Sequence, residues 1–216
     1  MDNFLSGLKS LGVGDIHSVA QQEMVFLEEL LRWNQRVNLT SVRKREEAVE
    51  KHLIDSLALL PYLIDSGLLL DMGSGGGLPG IPLAIAQPDL EVISVDSVGK
   101  KINFQKHIKR KLQLSGLSPI QSRIEDLHRC LQPNLRFRYI VARAFSSFDV
   151  IVGFAAPWLA DDGQLLVMKG PEGLDELSGL EKPLSFSGLV FEACHQYRLP
   201  FSGSERQLII IHKQPS

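Results

Sequence analysis

Leu68-Leu69-Leu70-Asp71-Met72-Gly73-Ser74-Gly75-Gly76-Gly77-Leu78-Pro79-Gly80-Ile81-Pro82-Leu83 is the stretch from which the rest of the chain can be ordered. A short apolar run ends in one carboxylate, and five glycines follow within eight residues. These signals predict a buried strand, a tight turn and the first turn of a helix. Glycine tolerates positive φ and lets a ligand approach the backbone closely. Pro79 and Pro82 suit the first helical turn, where a missing N–H costs nothing. The free N–H groups of that turn are expected to face whatever lies over the loop.

Two ligands compete for such a loop. Gly75-Gly76-Gly77-Leu78-Pro79-Gly80 fits G-x-G-x-x-G, and Asp96 lies 21 residues past Gly75, after Glu91-Val92-Ile93-Ser94-Val95. Read literally, this is a dinucleotide turn with its ribose acid, as in a nicotinamide-dependent oxidoreductase. Asp71 argues otherwise. A carboxylate two residues before the first glycine is unhelpful beside a pyrophosphate, but it suits the sulfonium and α-amino charges of S-adenosylmethionine. The Asp-x-Gly-x-Gly spacing of Asp71, Gly73 and Gly75 resembles the first motif of Rossmann-like methyltransferases. Asp96 would then hold the ribose of the same methyl donor.

Beyond this stretch the strand, loop and helix rhythm continues. Residues 91–95 lead to a helix over about 100–114, and residues 119–122 form a short third strand. Residues 137–142 form a fourth, opening onto Arg143, and are followed by a helix over 148–159, a turn at 161–163 and a strand over 164–169. The alternation predicts an α/β fold with a mostly parallel, doubly wound sheet and its ligand site at the strands' carboxyl ends. Residues 189–197 and 207–212 read as an antiparallel C-terminal hairpin, which completes the outline of a class I S-adenosylmethionine-dependent methyltransferase.

Upstream, residues 1–66 are expected to form an N-terminal helical extension, with 67–216 as the methyltransferase domain. Residues 1–17 are weakly patterned. Ser18 can cap a helix in which Phe26, Leu27, Leu30, Leu31 and Trp33 recur at core-facing spacing. A second helix over 46–60 stops at Pro61. His52, Asp55 and Ser56 share one of its faces, where they read as an exposed or capping cluster. Residues 172–183 are polar and read as a mobile connection.

The chain has 216 residues, 44 % of them hydrophobic, and a net charge of −2. It can bury a full core, and attraction to a polyanion has to come from local patches. Cys130 and Cys194 are isolated thiols without metal-binding spacing, which fits a reducing compartment. No basic-then-apolar leader opens the sequence and no run is long enough to cross a membrane. A cytoplasmic protein without a metal or an evident obligate protein partner is therefore expected.

Several stretches together resemble one family, the small-subunit ribosomal RNA methyltransferase G family, also called glucose-inhibited division protein B. They are Asn38-Leu39-Thr40-Ser41-Val42-Arg43, His52-Leu53-Ile54-Asp55-Ser56, the loop from Asp71 to Ile81, Asp96-Ser97-Val98-Gly99-Lys100-Lys101, Gln121-Ser122-Arg123-Ile124-Glu125, Arg143-Ala144-Phe145 and Lys169-Gly170. Ser74 and Gly76 stand where members often have Thr and Pro. The resemblance implies methyl transfer from S-adenosylmethionine to N-7 of a guanine in bacterial small-subunit ribosomal RNA, free or in the ribosomal particle. It also implies cofactor contacts at Gly73, Leu78, Ile124, Glu125 and Arg143.

From the residues themselves, Glu125 follows the third strand, where it can reach an adenine amino group. Arg143 follows the fourth, beside donor and target, and is the candidate catalytic residue. Its structural alternative is a salt bridge to Asp71 or Asp96. Lys100, Lys101, Lys106, Lys109, Arg110 and Lys111 put six cations and no carboxylate on one helix, a pattern that fits RNA backbone contact. Arg43, Lys44 and Arg45 make a smaller patch. A non-catalytic RNA-binding module on the same fold is the remaining alternative.

Overall fold

A computed structural model describes residues 2–214. Helix α1 (Asp2–Ser10) occupies part of the region whose sequence is weakly patterned. Helix α2 (Ile16–Val37) is capped by Asp15 rather than Ser18: the Asp15 carboxylate accepts the Ser18 N–H at 3.1 Å. An aspartate one turn earlier does the capping, because its side chain reaches the N3 amide. Phe26, Leu27 and Leu30 on this helix are fully buried, each contributing about 1.5–3 kcal/mol.

The second predicted helix is broken into pieces. α3 (Arg45–Ala48) runs into a π-helical segment, Val49–Ile54, then α4 (Asp55–Leu57) and a 3-10 turn at Leu60–Tyr62 that contains Pro61. In the π segment the Asp55 N–H reaches the Glu50 carbonyl, five residues back. Single π turns of this kind are frequent at functional sites.

The sheet has seven strands: β1 (Leu68–Met72), β2 (Glu91–Asp96), β3 (Leu117–Gln121), β4 (Phe137–Arg143), β5 (Leu159–Lys169), β6 (Leu189–Arg198) and β7 (Glu205–Lys213). Their order is β3-β2-β1-β4-β5-β7-β6. β1 to β5 pair in parallel, and β7 joins β5 antiparallel with β6 outside it. Helices α5 (Gly80–Ala86), α6 (Gly99–Leu112) and α7 (Phe148–Ala155) are the crossovers.

Each face of the sheet carries a core. Leu69, Tyr139 and Val141 face the one formed with α1, α2, α5 and α6, so the N-terminal helices share a core with the sheet. Leu70, Met72, Ile140 and Ala142 face the other, under α7. Burial on both faces explains why the central strands read as continuous apolar runs. Two departures follow from tertiary packing. β5 starts at Leu159, so the predicted turn at 161–163 lies within the strand. Residues 172–183 include α8 (Gly173–Ser178), whose Leu174 and Leu177, with Leu180 beyond it, pack on the second core.

Candidate active site

β1 ends at a loop in which Gly73 has φ +68° and Gly75 has φ +55°. A Cβ at Gly73 would stand 2.2 Å from the Phe145 ring, whereas one at Gly75 meets no protein atom nearer than 3.9 Å. Gly73 is therefore required by packing, and the space beside Gly75 belongs to a cavity. The loop is tied down from beneath. Asp96 accepts the Gly75 N–H at 2.9 Å and the Val98 N–H at 2.8 Å. Gln105 of α6, fully buried, donates to Ser74 Oγ and to the Gly75 carbonyl, both at 2.8 Å. The sequence reading missed Gln105, since a lone glutamine in a basic helix carries no motif.

Asp71 does not line the cavity. It is fully buried and accepts the Gly80 N–H at 2.9 Å, while its Oδ1 has no partner. Burial raises its pKa to about 7 against the pull of the Gly80 N–H and Arg143. The first-turn N–H of α5 thus points back at Asp71 rather than out over the loop, correcting the expectation for both. Asp71 acts on a ligand through the loop it anchors.

Two cavities open at the carboxyl ends of the parallel strands and share Gly73, Lys101 and Ala144. One, of about 510 Å³, is lined by Asp96, Val98, Ile124, Glu125, Phe145 and Val150 among others. The other, of about 520 Å³, lies between the glycine loop, the 39–42 loop, the π segment, Arg143 and Lys169. Leu78 and Gly75 face this second lobe. At the junction Ala144 holds φ +49°, a conformation that costs a non-glycine residue about 1–2 kcal/mol and is concentrated at functional sites.

Arg143 pairs with neither Asp71 nor Asp96. Its Nη1 donates to the Lys51 carbonyl at 3.0 Å and lies 3.4 Å from Asp55 Oδ2. Burial pulls its guanidinium below the ordinary arginine value, with Asp55 and then Asp71 opposing. His52, Asp55 and Ser56 are buried rather than exposed, because the π segment turns their face inward. His52 Nε2 bonds Thr40 Oγ1 at 2.7 Å. Burial, then Arg143, lowers its pKa to about 4, so the ring is neutral near pH 7. Asp55 Oδ1 accepts the Tyr197 hydroxyl at 2.8 Å and lies 3.6 Å from Arg206 Nε. Nothing in the sequence linked the 50s to the C-terminal hairpin.

The basic helix is only partly free. Lys111 and His107 both contact Glu29 of α2 at 2.9 Å. Burial alone would raise the Glu29 pKa, but Lys111, His107 and Arg32 hold it at about 2. Lys101 lies 3.6 Å from Asp96. Lys100, Lys106, Lys109 and Arg110 have no carboxylate within salt-bridge distance among the described residues, and Arg43 is exposed. None of these five lines either cavity.

The fold resembles a ribosomal protein L11 methylase from Lactobacillus delbrueckii subsp. bulgaricus, with TM-score 0.57, 12 % identity and coverage of 76 % of this chain and 79 % of that one. It also resembles a precorrin-6y C5,15-methyltransferase from Geobacter metallireducens, with TM-score 0.55, 12 % identity and coverage of 80 % and 90 %. These likenesses, with the sheet order and the loop after β1, define a Rossmann-like class I methyltransferase fold. A family model described as rRNA small subunit methyltransferase G matches residues 20–209. The ribosomal RNA small subunit methyltransferase G of Syntrophotalea carbinolica is 42 % identical over 208 residues, covering 96 % of this chain and 95 % of that protein. The chain belongs to the rRNA small subunit methyltransferase G family.

Proposed function

We propose that this protein methylates N-7 of a guanine in small-subunit ribosomal RNA with S-adenosylmethionine as donor, and that the two lobes divide the work. The observation that carries the proposal is their junction. A lobe edged by a buried ribose-type acid meets a cationic lobe at Gly73, Lys101 and Ala144, so donor and acceptor would face each other across a single glycine. Asp96 has both carboxylate oxygens fixed by backbone amides and keeps acceptor capacity for hydroxyls. Val98, Ile124 and Val150 supply apolar walls for a purine, and Glu125 stands beside them for its amino group. The open space next to Gly75 fits a ligand lying against the loop. Bound there, the donor supplies a methyl group already activated by its sulfonium.

What remains for the protein is orientation, exclusion of water and electrostatics. N-7 of guanine offers a lone pair and has no proton to lose, and the polar groups of the acceptor lobe are arranged to hold rather than to deprotonate. His52 Nε2 is engaged by Thr40, and both Asp55 oxygens are engaged by Tyr197 and the two arginines. Arg143 is placed to contact the base or its phosphate. Asn34 fixes the lobe's outer wall by bonding the Thr40 N–H, the Thr40 carbonyl and the Val42 carbonyl. Arg43 and the unpaired cations of α6, Lys100, Lys106, Lys109 and Arg110, with Lys101 at the rim, are the proposed backbone contacts. Among the described residues no helix is long and apolar enough to cross a membrane.

Nucleoside mass spectrometry of small-subunit ribosomal RNA, treated with the protein and S-adenosylmethionine, is expected to show new 7-methylguanosine. A methyl group on another atom or nucleoside would overturn the assignment. Single-turnover rates should stay nearly flat from about pH 6.5 to 8.5, because no required base has to ionise.

A further inference from the structure

Arg206, near the start of β7, lines the acceptor lobe and also a groove of about 270 Å³ along the hairpin beside Pro171, Gln196 and Arg198. It is the residue these two depressions share, so it stands where the cavity opens onto a surface channel.

Its guanidinium belongs to a cluster. Arg206 Nε lies 3.6 Å from Asp55 Oδ1, and Arg143 Nη1 lies 3.4 Å from Asp55 Oδ2. Two guanidiniums are thus gathered on one carboxylate, which the Tyr197 hydroxyl holds in place at 2.8 Å. One negative charge balances one of them. The side chains are only 15 % and 23 % exposed, so water compensates the other charge poorly. The remaining cations of this lobe, Lys51, Lys101 and Lys169, have carboxylates of their own in Glu47, Asp96 and Glu176. The surplus positive charge is concentrated on the arginine pair. Arg143 Nη1 is taken by the Lys51 carbonyl and Asp55, and Arg206 Nη1 by the Glu205 carbonyl. Their Nη2 groups have no partner among the described residues. A pair of guanidinium forks with free donors and one unit of uncompensated charge matches a tetrahedral, doubly accepting oxyanion.

We propose that Arg143 and Arg206, gathered by Asp55, seat one backbone phosphate of the RNA strand next to the target nucleotide, with the hairpin groove carrying the strand away. The inference rests on the reading that RNA is the substrate. The same anion chemistry could be supplied by the carboxylate of the methyl donor, and the test separates the two.

The experiment uses the full chain and small-subunit ribosomal RNA from cells lacking this methylation, free and in the ribosomal particle. Arg206→Gln is expected to raise the RNA KM about tenfold, the cost of a charged hydrogen bond, and to leave kcat within about threefold. The log–log salt slope of RNA binding should flatten by about 0.7 to 0.9, one phosphate, with S-adenosylmethionine affinity unchanged by calorimetry. Unchanged KM and slope in a folded, active protein would overturn the seat. Lost S-adenosylmethionine binding with intact RNA binding would reassign it to the donor carboxylate and overturn it equally. If the wild-type protein neither binds nor methylates this RNA, the substrate reading falls with it. Thermal unfolding is read first. If Arg206→Gln has lost its fold, Arg206→Lys carries the test: raised KM with a preserved slope supports the seat, and wild-type KM overturns it, since an ammonium lacks the fork.

Discussion

The lobe around Asp96 is assembled from the ends of neighbouring parallel strands and the turns that directly follow them, whereas the lobe around Arg143 draws on five separated stretches: 39–42, 51–55, 73–78, 143–144 and 168–170, with Arg206 added from the hairpin. In the first, backbone amides do the fixing, through Asp96 and the glycine loop. In the second, side chains fix one another across the sheet's edge, with Asp55 and Asn34 as the shared partners. The difference teaches that a donor site can be a local property of a strand and its turn, while an acceptor site here is a property of the tertiary fold. Backbone-built sites tolerate side-chain change and fail on glycine. Side-chain-built sites fail on single polar deletions.

The comparison is broken most severely at the loop. Gly75→Val places a β-branched residue at φ +55° with its Cβ in open cavity space, so the fold should survive while S-adenosylmethionine affinity falls by over about 100-fold. Calorimetry and circular dichroism on the same sample check both halves. Normal binding by a folded variant would make the loop merely structural.

On the other side, Asp55→Ala leaves the buried Arg143 guanidinium without its nearest carboxylate. A destabilisation of about 3–5 kcal/mol is expected, read by urea unfolding, with Asp55→Asn intermediate. A loss under about 1 kcal/mol would mean that the lobe is not held by this carboxylate.

The two lobes should also respond oppositely to pH. Asp71, under the donor loop, has a folded pKa of about 7 against an ordinary 3.8. Its contribution is present at pH 4 and below and is lost as pH rises to about 7, up to about 4 kcal/mol. Asp71→Asn keeps an acceptor for Gly80 and should raise stability at pH 8 by about 1–2 kcal/mol, less than the full linkage because the amide is buried too. His52, in the acceptor lobe, is lowered from 6.5 to about 4. The folded state then binds fewer protons than the unfolded chain, so its contribution is present above about pH 6.5 and is lost as pH falls towards 4. His52→Gln should flatten stability over that acid window. Urea midpoints across pH 4 to 8 for both variants test the pair, and the same sign of change in both would erase the contrast.

The smallest effect is expected on α6. Lys106 and Arg110 are exposed and Lys109 is half-buried, so two side chains rather than three present freely to RNA. Lys106→Gln with Arg110→Gln should flatten the salt slope of RNA binding by about 1 to 2 without changing S-adenosylmethionine affinity. An unaltered slope would confine RNA contact to the cavity rim.

These contrasts also explain what could be read from the residues alone. The strand, glycine turn and helix at 68–86, the acid ending β2 and the antiparallel C-terminal pair are consecutive patterns, and each is set by local periodicity or turn chemistry. Asp55 was invisible as a hub because its partners Tyr197 and Arg206 lie over 140 positions away, and helical spacing suggested an outward face. Gln105 was equally hidden, since the partners of a buried amide are fixed by packing. Ser18 lost the cap to Asp15 because both can cap, and only the chain's approach to the helix decides between them.

One feature of the fold bears on its history. The π turn at Val49–Ile54 hydrogen-bonds as though one extra residue had been slipped into an ordinary helix. Deleting one residue there would restore the regular repeat and rotate everything on one side of it by roughly 100°. His52 and Asp55 could not then both face the cavity with the helix ends still packed as they are. The simplest ancestral form of this segment is a straight helix with a blank inner wall, and a single inserted codon would have turned scaffold into binding surface. Length variation at this one position among related chains should therefore track the presence of the Asp55 partners, not the sequence of the helix around it.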